Sequence, residues 1–268
     1  MKNNTLVRII VSIFFIPGIV SLAYFGNFYF LLFGLVVGLF SFYEFAMMAR
    51  KKSINPLLKT GLFSVALILL NSYFHYLEYF ELILGIVIIN IVVELFRGKG
   101  SAINNLGATL LGIFYIGLFT SSILEIREFF NPYENGGYVI ISIFATIWIC
   151  DSAAFFGGIS LGKHKLFVRV SPNKSWEGAV FGLVFSIISM MSAKLIILDF
   201  LSWIDVILIG IVIGTIGQIG DLAESLLKRD AGVKDSSNLI PGHGGIFDRF
   251  DSLIVAAPVI YIYLRSIN

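Results

Sequence analysis

Hydrophobic residues along this chain are gathered into long, uninterrupted runs separated by short polar segments. A membrane-spanning helix needs about 20 mostly apolar residues, and nine runs approach that length. The runs lack the apolar–polar alternation of strands in a membrane barrel, so helices are the predicted elements. The predicted spans are Leu6–Phe25, Phe28–Met48, Leu57–Phe74, Phe80–Phe96, Leu106–Leu124, Tyr138–Gly157, Trp176–Leu198, Ile204–Leu222 and Leu253–Leu264.

The pattern therefore predicts an all-α protein, a polytopic integral membrane helix bundle of about nine transmembrane helices. With a cytoplasmic N-terminus, 16 of the 19 lysines and arginines fall on the cytoplasmic side, as the positive-inside rule requires. The basic N-terminus and first apolar run look like a signal peptide. Because Leu6–Phe25 is long for one and further runs follow at once, a retained first span is predicted.

Composition supports this class of protein. Only 13% of the 268 residues are charged and 57% are hydrophobic, whereas soluble domains are about a quarter charged. A net charge of +2 gives no sign of nucleic-acid binding. The one cysteine, Cys150, lies in an apolar run. It excludes an intramolecular disulfide and is predicted to be a small packing residue.

Polar residues concentrate in the second half of the chain. We therefore divide it into an N-terminal transmembrane region, residues 1–137 with about five spans, and a catalytic transmembrane region, residues 138–268. Two cytoplasmic loops of the second region, Gly162–Ser175 and Glu224–Asp251, hold most of its charges. We expect the chemistry in these loops.

The predicted helix that begins near Ile204 carries polar side chains where it reaches the cytoplasm. Asp221, Glu224, Ser225 and Lys228 are spaced i, i+3, i+4 and i+7, so they share one helical face. A charged face at the mouth of a span is costly unless it lines a wet cavity or binds a ligand. Asp221 is therefore a predicted functional residue.

Two glycine patterns have a structural rather than a chemical interpretation. Gly210, Gly214 and Gly217 are predicted to share a face that packs closely on a neighbouring helix. The segment 157–163 fits the first part of a phosphate-binding P-loop. However, His164 stands where Ser or Thr is required, and a membrane helix precedes the segment, so the P-loop interpretation is rejected.

The segment Pro-Gly-His-Gly-Gly, residues 241–245, is a candidate anion-binding loop. Glycines let backbone amides approach phosphate oxygens, and the start of a following helix favours anions. Mg²⁺ takes one or two carboxylates together with phosphate oxygens, and Asp221 and Asp248 could supply them from two elements. The cations that could neutralise a triphosphate are Lys228, Arg229, Lys234 and Arg249.

The run from Ser225 to Asp251, S-L-L-K-R-x4-K-D-S-x3-I-P-G-H-G-G-I-x-D-R-x-D, resembles the signature of phosphatidate cytidylyltransferases. Two upstream stretches, Cys150–Lys165 and Ser171–Gly178, are similar to the same family. The first 140 residues match only as a set of apolar spans. The resemblance implies transfer of the CMP moiety of CTP to phosphatidic acid, giving CDP-diacylglycerol and pyrophosphate. It also implies a bacterial cytoplasmic membrane location with the active site on the cytoplasmic side.

A phosphate of the lipid is already an anion, so no Ser-His-Asp triad is expected. Metal and cationic side chains would offset the repulsion between two anionic substrates. Mg²⁺ is the expected cofactor, and a second, monovalent cation and a homodimer are compatible with this scheme. The expected metal ligands are Asp221 and Asp248, with Asp151 and Asp251 as further candidates; the expected catalytic residues are Asp221, Asp248, Lys228 and Asp251; and the expected substrate-binding residues are Lys228, Arg229, Lys234, His243, Gly244, Gly245, Ser171, Asn173 and Lys174.

Two other functions stay open. One is a different nucleotide-dependent membrane lipid transferase, which an assay with several lipid acceptors would distinguish. The other is a transporter, in which the intramembrane carboxylates Glu44, Glu94 and Asp151 would line a path across the bilayer. The charges cluster on one side of the predicted membrane instead, which favours an enzyme.

Overall fold

The computed structural model describes residues 2–240, 242 and 244–267, with side chains from Val11 onward. Long helices follow the predicted apolar runs. Two helical stretches contain a π-helical turn, at Ile113–Leu118 and Ile213–Gly217. The elements are α1 (Lys2–Phe25), α2 (Asn27–Lys51), α3 (Leu58–Phe74), α4 (Tyr79–Leu95), α5 (Ala102–Gly112), α6 (Phe119–Glu128), α7 (Glu134–Leu161), β1 (Lys165–Phe167), β2 (Ser171–Ser175), α8 (Trp176–Ile196), α9 (Trp203–Val212), α10 (Gln218–Asp230) and α11 (Phe247–Ile267).

The all-α membrane class is confirmed, apart from the small β1–β2 hairpin. Within the described part of the chain, six helical stretches are long and apolar enough to cross a membrane. The predicted count of nine spans and the cytoplasmic N-terminus stay predictions. The six stretches are Asn27–Lys51, Ala102–Glu128, Glu134–Leu161, Trp176–Ile196, Trp203–Asp230 and Phe247–Ile267, and Val11–Phe25 and Leu58–Phe74 are shorter apolar helices.

The chain forms two compact units. The first comprises the described parts of residues 1–22, 26–125 and 227–250. Within it α2, α3, α5 and the π-helical turn after α5 pack together. A buried carboxylate of this unit is paired: Glu94, 5% exposed, accepts from Asn105 Nδ2 at 2.6 Å and from Arg97 Nη1 at 3.3 Å. Arg97 Nη1 also donates to the carbonyl of Asn55 at 2.7 Å. The loops after α2 and α4 are thereby joined.

The second unit comprises the described parts of residues 23–25, 126–226 and 251–268. Helices α7 and α8 pack along their lengths, and α9 packs on α8. The α7–α8 approach depends on glycine, since a Cβ at Gly178 would lie 2.6 Å from the carbonyl oxygen of Ala154. Cys150 is a buried, free thiol, as expected of a packing residue.

The predicted glycine stripe is confirmed as a packing surface in part. A Cβ at Gly210 would lie 2.9 Å from the Cα of Ile187, and Gly214 is equally close to α8. Gly217 instead faces Ser252 and other residues of α11, with ordinary spacing of 3.8 Å or more. The prediction of one common face was wrong because the π-helical turn Ile213–Gly217 adds a residue to the helical repeat and rotates the rest of the helix.

Candidate active site

Lys174 is held by the β1–β2 hairpin of the second unit. The strands are antiparallel, with Lys165 opposite Ser175. Ser175 ends β2 and caps α8, because its hydroxyl accepts the amide of Gly178 at 3.2 Å. Glu177, in the first turn of α8, accepts the backbone amides of Lys163 (3.1 Å) and His164 (3.2 Å). The strand, the helix cap and the first turn of α8 therefore fix the position of Lys174, the residue just before Ser175.

Asp221 lies in α10 and forms an ion pair with Lys174, both in the second unit. The Asp221 side chain is 32% exposed, and its other carboxylate oxygen is 3.4 Å from the hydroxyl of Ser225. Glu224 is fully buried and Ser225 is nearly so. Two of the four residues predicted to share a charged face are carboxylates. Glu224 is buried, whereas Asp221 is both partly exposed to solvent and paired with a lysine.

Close helix packing holds Asp221 in place. A Cβ at Gly220 would lie 2.7 Å from the backbone carbonyl oxygen of Asp251 and 3.0 Å from Cβ of Val255. Only glycine permits α10 and α11 to approach so closely at this point. The backbone next to Asp221 therefore rests directly on the backbone of α11.

Asp248 lies in a different environment, in the first unit. Its side chain is only 4% exposed. Oδ1 accepts from Lys228 Nζ at 2.7 Å, and Oδ2 accepts from the amide of Ser236 (2.9 Å), the hydroxyl of Ser236 (2.9 Å) and the amide of Gly245 (2.8 Å). Gly244 has φ of +84°, and a Cβ there would lie 2.7 Å from Asp248 Oδ2. Glycine is required at Gly244 for both reasons.

Glu44 of α2 binds the same loop in the same unit. It is 2% exposed. Its carboxylate lies 2.5 Å from the hydroxyl of Ser237 and 2.8 Å from that of Ser236, and it accepts the amides of Ile246 (3.0 Å) and Phe247 (2.8 Å). The amides at the start of α11 are therefore occupied by protein carboxylates. In this structure the acceptors at the helix start are Glu44 and Asp248, and phosphate binding there stays a prediction.

The structure brings four predicted site residues together in two ion pairs that the sequence did not predict, Lys174 with Asp221 and Lys228 with Asp248. Asp221 and Asp248 belong to different units, so the prediction that they share one ion stays a prediction. His243 lies outside the described residues. Of the other predicted site residues, Asp151 is exposed on α7, Asp251 is half-buried near the start of α11, Arg229 Nη1 donates to the carbonyl of Val233 at 3.0 Å, Lys234 and Asn173 are exposed, and Ser171 begins β2.

Sequence reasoning missed the role of Glu44, Ser236 and Ser237. A carboxylate inside an apolar run was the available signal, because such a residue is expensive to bury and is functional by default. That signal was assigned to a transport path. Instead, Glu44 accepts the amide of Ile246 just before α11, and Glu94 accepts from Asn105 of α5, each within its own unit.

The carboxylates differ in their fit to Mg²⁺. Among the described residues no group of three or more His, Cys, Asp or Glu side chains is placed to hold a metal. Mg²⁺ needs fewer, since one or two carboxylates suffice beside phosphate oxygens and water. Asp221 fits, because it already holds a cationic ammonium group and is partly exposed. Asp248 has four donors and would have to exchange Lys228 before it could bind a metal.

An apolar groove of about 400 Å³ runs between α7 and α8, within the size range of small-molecule sites. It ends at Leu161, two residues before Lys163. Its lining includes Ala153, Phe156, Gly157, Ser160, Phe181 and Phe185.

Long apolar helices define an integral membrane protein, and each unit holds a lysine–aspartate ion pair, Lys174–Asp221 in the second unit and Lys228–Asp248 in the first. The sequence profile of the cytidylyltransferase family matches residues 6–267, so the chain belongs to that family. The chain is 32% identical to the phosphatidate cytidylyltransferase of Bacillus subtilis (strain 168) over 98% of its length and 97% of the relative's. It is 33% identical to the phosphatidate cytidylyltransferase of Synechocystis sp., covering 96% of this chain and 95% of that one. It is 32% identical to that of Brucella suis biovar 1, covering 97% and 93%.

Proposed function

We propose that this protein transfers the CMP moiety of CTP to phosphatidic acid and releases pyrophosphate, making CDP-diacylglycerol for phospholipid synthesis. One observation carries the proposal: relatives with this activity in their names match nearly the whole chain. The lysines and arginines of the segments Gly162–Ser175 and Glu224–Asp251 are the proposed cations for the two anionic substrates.

In the reaction an oxygen of the lipid phosphate attacks the α-phosphorus of CTP. The new P–O bond forms as the bond to the β-phosphate oxygen breaks, and pyrophosphate leaves with the electron pair. The barrier is electrostatic, because two anions approach and negative charge builds on the leaving group. The chain's contribution is therefore to position the phosphates and to neutralise them.

Lys174 is placed to bind a phosphate, since β2 and the cap of α8 fix its backbone and Asp221 holds its ammonium group. Lys228 is held in the same way by Asp248. The other proposed substrate contacts are Arg229, Lys234, Ser171, Asn173, His243, Gly244 and Gly245.

We extend the proposal to Mg²⁺, with Asp221 as a ligand. When bound, Mg²⁺ would neutralise phosphate oxygens and the charge on the leaving group. The ammonium of Lys174 occupies the same carboxylate in this structure, so Lys174 would pass to a substrate phosphate. Asp248, Asp251, Asp151 and a second, monovalent cation stay as predictions of the metal site.

The test is pyrophosphate release from CTP by purified protein in detergent, with and without phosphatidic acid. Release should require the lipid, stop with excess EDTA and return with MgCl₂. Asp221→Asn should abolish it while leaving the thermal midpoint within a few degrees. Asp230→Asn is the matched control, because Asp230 lies on the same helix with its side chain 66% exposed. Wild-type turnover by Asp221→Asn would remove the proposed role of Asp221.

The alternative, another nucleotide-dependent lipid transferase, is tested in the same assay with diacylglycerol and phosphatidylglycerol as acceptors. Phosphatidic acid should be preferred by at least tenfold in kcat/KM. Equal turnover with an acceptor that lacks a terminal phosphate would favour the alternative.

The α7–α8 groove supports a lipid substrate, and we propose that it takes an acyl chain. Ala153→Phe, which fills the groove, should raise KM for long-chain phosphatidic acid several-fold and leave the short-chain, soluble form unaffected. Ile159→Phe is the control, since Ile159 is exposed on α7 outside the groove. Equal KM values for the two variants would remove the acyl-chain assignment.

We further propose a bacterial cytoplasmic membrane location with the loops facing the cytoplasm, where CTP is found. Labelling of single cysteines in a Cys150→Ser background tests this, with a position such as Asn173 expected to react only from the cytoplasmic side. A homodimer is part of the same proposal and is tested by the mass of the protein in detergent-corrected light scattering.

A further inference from the structure

Glu44 is a buried carboxylate that the reaction scheme does not use. It lies within the membrane-spanning helix α2 and is 2% exposed. A carboxylate in such a place is costly unless hydrogen bonds stabilise its charge. Its Oε1 lies 2.5 Å from Ser237 Oγ and 3.0 Å from the amide of Ile246, and its Oε2 lies 2.8 Å from both Ser236 Oγ and the amide of Phe247.

These four contacts come from the two ends of one segment. Ser236 and Ser237 stand at its beginning, and Ile246 and Phe247 stand at its end. The segment contains the glycines proposed to contact CTP and leads directly into Asp248. One side chain of α2 therefore joins the two ends of this segment.

Ser236 connects the two carboxylates that hold this loop. Its Oγ lies 2.8 Å from Glu44 Oε2 and 2.9 Å from Asp248 Oδ2, and its one hydroxyl proton can be given to either. Both side chains pack directly against the backbone at Gly245, because a Cβ there would overlap Ser236 Oγ and Glu44 Oε2. The loop, Glu44 and Asp248 are thus one tightly packed polar cluster within the first unit.

We propose that Glu44 is a positioning residue for the reaction: through Ser236, Ser237 and the start of α11 it holds the loop of residues 236–247, and with it Asp248 and its partner Lys228, in the catalytic arrangement. The proposal rests on the proposed function for the catalytic part alone. It also gives one N-terminal helix a role, since α2 supplies the carboxylate that accepts these hydrogen bonds.

Glu44→Gln is the principal variant. The amide keeps the size of the side chain, but its NH₂ group cannot accept the hydrogen bonds that one carboxylate oxygen now receives. Glu94→Gln is the matched control. Glu94 is also a buried glutamate of the first unit, 5% exposed, but its hydrogen bonds join it to Asn105 and Arg97 rather than to residues 236–247.

The first measurement is independent of the reaction: amide hydrogen exchange in peptides that cover residues 236–247. Glu44→Gln should raise exchange there at least tenfold, because the amides of Ile246 and Phe247 lose or weaken their acceptor. Glu94→Gln should leave that exchange unchanged even if it lowers the thermal midpoint equally. Unchanged exchange in Glu44→Gln would overturn the proposal, whatever the enzyme's substrate.

The second measurement is steady-state turnover of the full-length protein in detergent, expressed per folded molecule. Glu44→Gln should lower kcat at least tenfold and change KM for phosphatidic acid less than threefold, whereas Glu94→Gln should keep kcat within twofold. Raised exchange with an unaltered kcat would overturn the catalytic part of the role. If the wild-type protein itself turns over no phosphatidic acid, the proposed function fails while the exchange result still decides the role of Glu44.

Ser237→Ala keeps the test decisive if Glu44→Gln does not fold. It removes one donor and leaves the charge in place. We expect a three- to tenfold loss of kcat. Where Glu44→Gln does fold, combining the two substitutions should cause little further loss, because both break the same contact. A kcat within twofold of wild type for Ser237→Ala, with Glu44→Gln unfolded, would count against the proposal.

Discussion

The most direct structural test of the site is a single methyl group at Gly220. This residue precedes Asp221, and its α-carbon faces the backbone of α11. In Gly220→Ala the new Cβ would lie 2.7 Å from the carbonyl oxygen of Asp251, whereas ordinary contact begins at 3.4 Å. Because the obstacle is backbone, α10 and α11 must separate by about 0.7 Å, the difference between these two distances.

That displacement should lower both the stability of the protein and its kcat. Overpacking of this kind costs about 1–3 kcal/mol of stability. A misplacement of about 1 Å at a reacting group can reduce a rate by roughly 100-fold, so a shift of somewhat less should reduce kcat about 10- to 100-fold. The physical reason is that Asp221, which follows Gly220 on α10, would shift relative to Lys174, which the β1–β2 hairpin holds in place.

Gly217→Ala is the matched control on the same stretch of helix. There the new Cβ would lie 3.8 Å from Ser252 and 4.0 Å from Ala256, so it fits. We expect kcat within twofold of wild type. Pyrophosphate release and the thermal midpoint are measured for both variants in the same detergent. If Gly220→Ala and Gly217→Ala have equal kcat, the packing of α10 on α11 does not position Asp221 and the reasoning is refuted.

Three further predictions concern stability. Arg127 is fully buried and donates to three backbone carbonyl oxygens at 2.7–3.0 Å. Arg127→Met should therefore lower the free energy of unfolding by at least about 3 kcal/mol, measured as a large fall in the thermal midpoint. A fall of less than about two degrees would contradict this prediction. Ser175→Ala removes the cap of α8 and should cost about 1 kcal/mol and also lower kcat, because Lys174 adjoins it; Ser175→Asp, which retains a cap, is the comparison. Gly107→Ala should stabilise α5 by about 0.5–1 kcal/mol without affecting kcat, since its Cβ would meet nothing within 4 Å.

The helical membrane class of the fold could be predicted from the sequence, because a membrane-spanning helix requires an apolar run of sufficient length. Helix ends were less predictable. The predicted span Ile204–Leu222 continues as helix to Asp230, since the polar residues after Leu222 favour a helix as readily as a loop. The π-helical turn at Ile213–Gly217 had no signal, because it depends on which neighbours Gly214 and Gly217 meet.

The site was predicted where chemistry and local spacing coincide. Asp221, Lys228 and Asp248 fall within one short stretch of the chain, and their residue types alone suggested anion and metal chemistry. Pairings over long distances along the chain were beyond sequence reasoning. Lys174 reaches Asp221 across 47 positions, and Glu44 reaches Ser236 across 192. The sequence alone shows that Glu44 lies in an apolar run, but it does not show which groups donate hydrogen bonds to its carboxylate.

The number and kind of donors on each carboxylate decide what it can do. Glu44 and Asp248 each accept backbone amides, which cannot leave without unfolding the loop, so these two carboxylates fix structure. Asp221 accepts chiefly from the ammonium group of Lys174, on a flexible side chain that can move to a phosphate. A cation that enters and leaves during turnover needs an acceptor whose present partner can be displaced at little cost. Of the three, Asp221 alone meets that condition without rearrangement of the backbone, so the exchange of cations in the cycle should be centred on it.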